Sequence, residues 1–393
     1  MKRILFFLFF SIVLSLQANR RPPALAENKP ENDLFGRYVA VGDSFTQGFQ
    51  SGAVDETRQD DAYAARIARA MHTKFEIPLL RFPGYQVNLE DVARGRVRWF
   101  QWYCAIAGCR KSFDNQDSLS NFAIPGETVR SALSWGGSLK GFRALILGDG
   151  EMPQLTQALN RNPSFLSIWI GNADVAGSIL HRDLLFSSPL ESFQESFRTI
   201  VSRVSQKQSA GLLQGVIIAN LPDASAGAYL KCAPDGQCGA FWDSYVTGPD
   251  DTLDAEELES LRTQMAQVNR EIQDQAMANG WAVFDAHSFF QDLEERGYSL
   301  SGGSGALADR RLSAEYLGGF YSLDGIHPSS TGQAVLANRF IDAINSRYGK
   351  NLTHINETAA STSDSLYERP IDPRINPSPW YGRAMTFLLS LFI

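Results

Sequence analysis

RYVAVGDSFT, residues 37–46, is the stretch on which the fold turns. Arg37 to Val41 is a short β-prone run that stops at Gly42, and a serine follows two residues later. Three more apolar runs end as abruptly: Ser164 to Ile170 at Gly171, Leu212 to Leu221 at Pro222, and Trp281 to Phe284 at Asp285. Continuous rather than alternating runs suit parallel strands buried on both faces. Helical spacing fills the intervals, over Ala62–Met71, Leu190–Val204 and Ala255–Met277, the last capped by Asp254 and ended at Gly280. A further helix is expected from near Thr331. Strands alternating with helices predict an α/β protein, a three-layer α/β/α sandwich with right-handed crossovers. Sites in such sheets gather at the carboxyl ends of strands. Here those positions hold Asp43 and Ser44, Asn172 and Asp174, and Asp223.

The 393 residues are 44% hydrophobic and 20% charged, the mix of a globular chain with a sizeable core. That excludes disorder, collagen and coiled coil as readings of the whole. A formal charge of −7 argues against a nucleic-acid partner, which selects a basic surplus.

Lys2 and Arg3 precede an apolar run from Ile4 to Leu16, with Ala18 as a cleavage position. Residues 1–18 therefore read as a signal peptide and the protein as exported; an uncleaved anchor is the rival. Residues 19–35 form a polar, Pro-rich linker, and residues 36–349 one globular body without internal repeats. The stretch Asn351–Ser365 reads as a second linker by its Ser, Thr and Asn content. It opens a polar, Pro-rich tail, residues 350–393, that ends in the apolar run Ala384–Ile393. That run is too short to span a bilayer, so it is expected to dock on the body or to make peripheral membrane contact. Cutting the chain after Asn351 is expected to spare the chemistry.

Four cysteines fall in two close pairs, Cys104 with Cys109 and Cys232 with Cys238. In an oxidising compartment two disulfides are the expectation, with cross-pairing left open. A four-cysteine zinc site is the rival, but its spacings are looser than the usual knuckles.

The chemistry starts at Ser44. A serine just past a strand, after glycine in a tight turn, is placed to expose its hydroxyl. The same pattern also makes an ordinary helix cap. Asp324-Gly325-Ile326-His327-Pro328 supplies a base. Of five histidines, only His327 has a carboxylate three residues upstream in a turn bounded by Gly and Pro. Asp324 can then accept from Nδ1 and leave Nε2 free for the serine proton; the alternative is an Asp-capped turn before a helix. Oxyanion donors are offered by Asn121-Phe122-Ala123-Ile124-Pro125-Gly126 and by Gly171-Asn172-Ala173-Asp174. Singly, each of these also reads as a turn or cap.

Together GDSF (42–45), NFAIPG (121–126), GNAD (171–174) and DGIH (324–327), in this order, resemble the four blocks of the SGNH (GDSL-type) hydrolase family. The resemblance implies a flavodoxin-like parallel sheet with insertions and ester hydrolysis without metal or organic cofactor. It implies Ser44 as nucleophile, His327 as general base and acid, and Asp324 as its orienting carboxylate. Ser44 and Gly126 N–H and the Asn172 amide become the oxyanion donors, with Asp43 and Asn121 in support. Phe45 stands where the family commonly has leucine, a core-facing change expected to leave the chemistry alone. The body exceeds the family's minimum through insertions near 72–120, 224–254 and 291–319. In the first, Arg94, Arg96, Arg98, Arg110 and Lys111 interleave with Trp99, Phe100, Trp102 and Tyr103. A lid or acyl-cleft wall, or a stapled packed subdomain, suits an acidic hydrolase better than nucleic-acid binding.

The function expected is that of an exported serine esterase or lipase acting on small-molecule or lipid esters. A carbohydrate O-acetyl esterase or acetyltransferase is the alternative, and a binding module that has lost its chemistry the remaining one.

Overall fold

A computed structural model describes residues 33–81, 84–86, 88–95, 118–135, 140–148, 151–175, 190–223, 255–302 and 310–368. The signal peptide, all four cysteines, most of the basic and aromatic run, and the apolar terminus lie outside the described residues.

Four parallel strands form the central sheet in the order β1 (Tyr38–Gly42), β2 (Phe165–Trp169), β3 (Gly215–Ala219) and β4 (Ala282–Phe284). All four apolar runs are therefore strands. A fifth extended segment lies on the free edge of β1. Ala40 pairs in parallel with Asn121, and Phe122 N–H donates to Ala40 O. Counting that segment second in the chain, the spatial order is 2-1-3-4-5, the flavodoxin-like order whose switch point falls between β1 and β2.

The helices in chain order are α1 (Ser44–Gln47), α2 (Glu56–Asp61), α3 (Tyr63–Ala70), α4 (Leu89–Ala93), α5 (Lys140–Leu147) and α6 (Gln154–Asn160). Then come α7 (Leu190–Ser209), α8 (Ala255–Asn279), α9 (Ala286–Arg296), α10 (Ser330–Tyr348), α11 (Glu357–Ser363) and α12 (Ser365–Glu368). Side chains alternate across each strand, so the sheet feeds two cores. Val39, Val41, Leu166, Ile168, Val216 and Ile218 face Leu155, Phe197, Val204 and Met265 of α6, α7 and α8. Tyr38, Ala40, Phe165, Trp169, Ile217 and Ala219 face Tyr63, Phe290 and Phe340 of α3, α9 and α10. This is the three-layer arrangement.

The second core builds the floor beneath the end of β1. Trp169 is fully buried, with Phe45, Tyr63, Phe284 and Phe340 rings all within 5.2–5.8 Å of it. Its Nε1–H donates to Asn220 O, which satisfies its polar edge. In the insertion at 291–319, β5 (Tyr298–Ser299) and β6 (Arg311–Leu312) make an antiparallel ribbon.

The reading of Asn351–Ser365 as a linker is corrected. Residues 351–368 fold back along α10 and carry α11 and α12. Asn345 and Asn338, two turns apart on α10, hold the backbone of Leu352 and Ile355 through paired amide hydrogen bonds of 2.7–3.0 Å. Glu357 is completely buried, accepting from Tyr298 OH, Ser301 N–H and Asn338 Nδ2. The same Ser, Thr and Asn content that marks a linker also supplies caps and backbone mimics, and here it does the second.

Candidate active site

At Gly42, the last residue of β1, nothing larger fits. A Cβ there would stand 2.1 Å from Thr46 Oγ1 and 2.5 Å from Trp169 O. Asp43 then caps α1, its Oδ1 accepting from Phe45 N–H at 3.1 Å. Gly48 closes this four-residue helix in the left-handed conformation, φ 83°. Ser44 is thereby held at the strand's end, 8% exposed.

Across 283 residues of sequence, His327 Nε2 lies 2.8 Å from Ser44 Oγ. His327 Nδ1 lies 3.0 Å from Asp324 Oδ2. An ionised carboxylate only accepts, so Nδ1 carries the proton and Nε2 is left to accept from Ser44. Asp324 Oδ1 is occupied by the N–H groups of Ile326 and His327, at 3.0 and 2.8 Å. Burial pushes the Asp324 carboxyl up, but the His327 charge and these hydrogen bonds outweigh it and hold it below its ordinary value. The imidazole sits between two rings, Phe49 at 4.8 Å and Phe45 at 5.4 Å. Phe45 is core-facing as expected, and its ring also lies against the imidazole.

Asn172 stands at the end of β2, beside β1. Its backbone N–H and its Nδ2 both donate to Asp43 Oδ2 at 3.1 Å. Asp43 is fully buried, and burial pushes its carboxyl up to about 6, against the hydrogen bonds from Phe45 and Asn172 and the His327 charge. Thus one carboxylate caps the serine's helix and aims the amide. Asn121 accepts from Ala123 N–H and donates to Thr46 O, tying the edge segment to α1. Ile124 N–H donates to Gly42 O, which carries Gly126 to the same end of the sheet with φ 77°.

Of the strand-end carboxylates, Asp174 lies behind this site, accepting from Val129 N–H. Asp223 instead pairs with Arg262 on α8. Two contributors escape sequence reasoning. Gln154 Nε2 clamps Gly42 O and Phe122 O at 2.7 and 2.9 Å, and Gly52 N–H donates to Asp324 Oδ2 at 3.0 Å. Neither carries a motif, since each acts through position alone.

The chain is matched from residue 38 to residue 340 by the model of the GDSL-like lipase/acylhydrolase family. It belongs to that family. This GDSL-like acylhydrolase is an ester hydrolase, and the four blocks read from its sequence lie within the match. No curated protein matches it. Among solved structures it is similar to Axe2, an acetylxylan esterase from Geobacillus stearothermophilus. There the identity is 16% and the TM-score 0.39, over 81% of this chain and 97% of that one. It is also similar to LAE5, an alpha/beta hydrolase enzyme from the metagenome of Lake Arreo, Spain. The identity is 14% and the TM-score 0.39, over 79% of this chain and 97% of that one.

Proposed function

We propose that the protein is an exported hydrolase of carboxylic esters working through an acyl-enzyme on Ser44. The observation that carries this reading is the hydrogen-bonded line Asp324–His327–Ser44 at the switch point of the sheet. Ser44 Oγ attacks the ester carbonyl carbon while its proton passes to His327 Nε2. The carbonyl oxygen becomes an oxyanion for which Ser44 N–H, Gly126 N–H and the Asn172 amide are the donors. Collapse expels the alcohol, which takes the proton from His327 and leaves Ser44 acylated. Water then gives a proton to His327 and attacks the acyl carbon. Ser44 leaves with that proton as the acid is released. Asp324 stays ionised throughout and stabilises the imidazolium.

The basic start and apolar run of residues 2–16 support export. The long insertion between the first two blocks supports acyl or lipid esters as substrates. The test is fluorophosphonate labelling of wild type and Ser44→Ala, followed by hydrolysis of p-nitrophenyl esters of rising chain length. Label on another serine would sink the assignment. Rates that collapse beyond acetyl, with acetate released from acetylated polysaccharide, would move the substrate to carbohydrate O-acetyl esters.

A further inference from the structure

Residues 351–368 lie beyond the stretch matched by the family, yet they reach the acid–base side of the site. The contact runs through Glu90, at the start of α4 and 3% exposed. Its Oε2 accepts from Ser365 Oγ at 2.5 Å. Its Oε1 accepts from Ser51 Oγ and from Arg58 Nη2, each at 3.2 Å. Ser51 is fully buried and held at φ 52°, a conformation that costs a non-glycine residue energy and needs support. Besides its bond to Glu90, Ser51 N–H donates to Ser322 Oγ at 2.7 Å, and its Oγ accepts from Leu323 N–H at 3.3 Å. The next residue, Gly52, donates its N–H to Asp324 Oδ2, the oxygen that also faces His327 Nδ1. A second link flanks the first. Asp364 Oδ2 accepts from both the N–H and the hydroxyl of Thr331, four residues after His327 and at the start of α10.

We propose that Glu90 is a positioning residue for Asp324, and that the C-terminal segment, through Ser365, locks it in place. The inference rests on the esterase reading of the Ser44 site. The line runs Ser365–Glu90–Ser51–Gly52–Asp324, joining four separate parts of the chain. It replaces the expectation that the segment after Asn351 is dispensable for chemistry. The groups around it are Arg58 with its other partner Asp55, Arg94 bonded to Ser365 O, and Asp364; those facing His327 are Asp324 and Asp43. If Ser51 relaxes, Gly52 N–H withdraws and Asp324 is free to shift from Nδ1. The imidazolium then loses part of its stabilisation, and the histidine titrates at lower pH.

The experiment compares full-length wild type, Glu90→Gln, Ser365→Ala, the double variant and Asp324→Asn. The His327 imidazole is followed by NMR across pH, assigned with His327→Gln, and p-nitrophenyl acetate turnover is measured on the same samples. The expected result is a His327 midpoint displaced toward that of Asp324→Asn. With it, kcat falls by about 10- to 100-fold, the scale of a displacement of about an ångström, while KM hardly moves. Because the two residues act in one line, the double variant should cost little more than the worse single variant. Variants that keep a cooperative unfolding transition and titrate His327 as wild type does would overturn the proposal. A wild type that titrates as expected but turns over no ester would instead sink the esterase reading alone. Should Glu90→Gln fail to fold, Ser365→Ala, which removes one hydroxyl, decides the matter by the same readouts.

Discussion

Replacing Asp43 by alanine separates two roles of one carboxylate. The change strips the acceptor from Phe45 N–H, Asn172 N–H and Asn172 Nδ2 together. A lost helix cap costs about 1 kcal/mol. Each buried donor left unpaired costs about 1–3 kcal/mol. Against this stands the burial of the carboxylate itself. Its rise from 3.8 to about 6 is equivalent to about 3 kcal/mol that the ionised form costs the folded state. Alanine removes that cost, which is fully present above about pH 6 and vanishes below the unfolded value. With the Phe45 N–H counted as the cap and the two Asn172 donors added, the net loss of stability at pH 8 is about 0–4 kcal/mol, and it grows as the pH falls toward 4. Activity behaves otherwise. With Asn172 no longer aimed, kcat at pH 8 should fall by about 10²–10³ while KM stays close to wild type. Urea unfolding at pH 8 and pH 4.5, with steady-state hydrolysis of p-nitrophenyl acetate at pH 8, reads both quantities. A folded Asp43→Ala enzyme with kcat within about twofold of wild type would refute the link between Asp43 and the oxyanion donor.

Asn172→Ala should lower kcat by the same order with little change in KM, and an unchanged rate would return Asn172 to a turn role. Burial pushes the Asp174 carboxyl up to about 8, with the Asp43 and Glu127 charges adding to it and a Val129 hydrogen bond opposing. The folded state thus holds a proton that the unfolded state has lost between about pH 4 and pH 8, so stability falls as pH rises across that window. Asp174→Asn should flatten that fall in urea midpoints measured from pH 5 to pH 9, and an unchanged slope would show that another group causes it. Arg143 grips the fully buried Glu127 through Nε and Nη2 at 3.0 and 2.9 Å, next to Gly126. Arg143→Met should cost about 3–5 kcal/mol by leaving that charge unpaired, and adding Glu127→Gln should recover much of it; a double variant no better than the single would count against the pairing.

The strands, the serine's turn and the histidine with its carboxylate were legible because each is written in a few adjacent residues. Continuous apolar runs bounded by Gly, Pro or Asp suit strands buried on both faces, and Asp324 lies three residues from His327 within one turn. What joins them was not legible. Nothing local brings His327 to Ser44 across 283 residues; the sheet order does, by setting the ends of β1 and β2 beside the loop before α10. The same holds for Asp43, whose carboxylate is a helix cap by sequence but becomes the partner of Asn172 only once β2 lies beside β1. Gln154, Gly52 and Glu90 carried no signal, because a buried polar residue has meaning only through the partners that surround it. The segment after Asn351 misled for a related reason. Its polar side chains suit water or the asparagines and backbone of α10 equally well, and only the packed structure decides between them. Local chemistry thus named the reacting groups, while long-range packing decided which carboxylates and amides hold them in place.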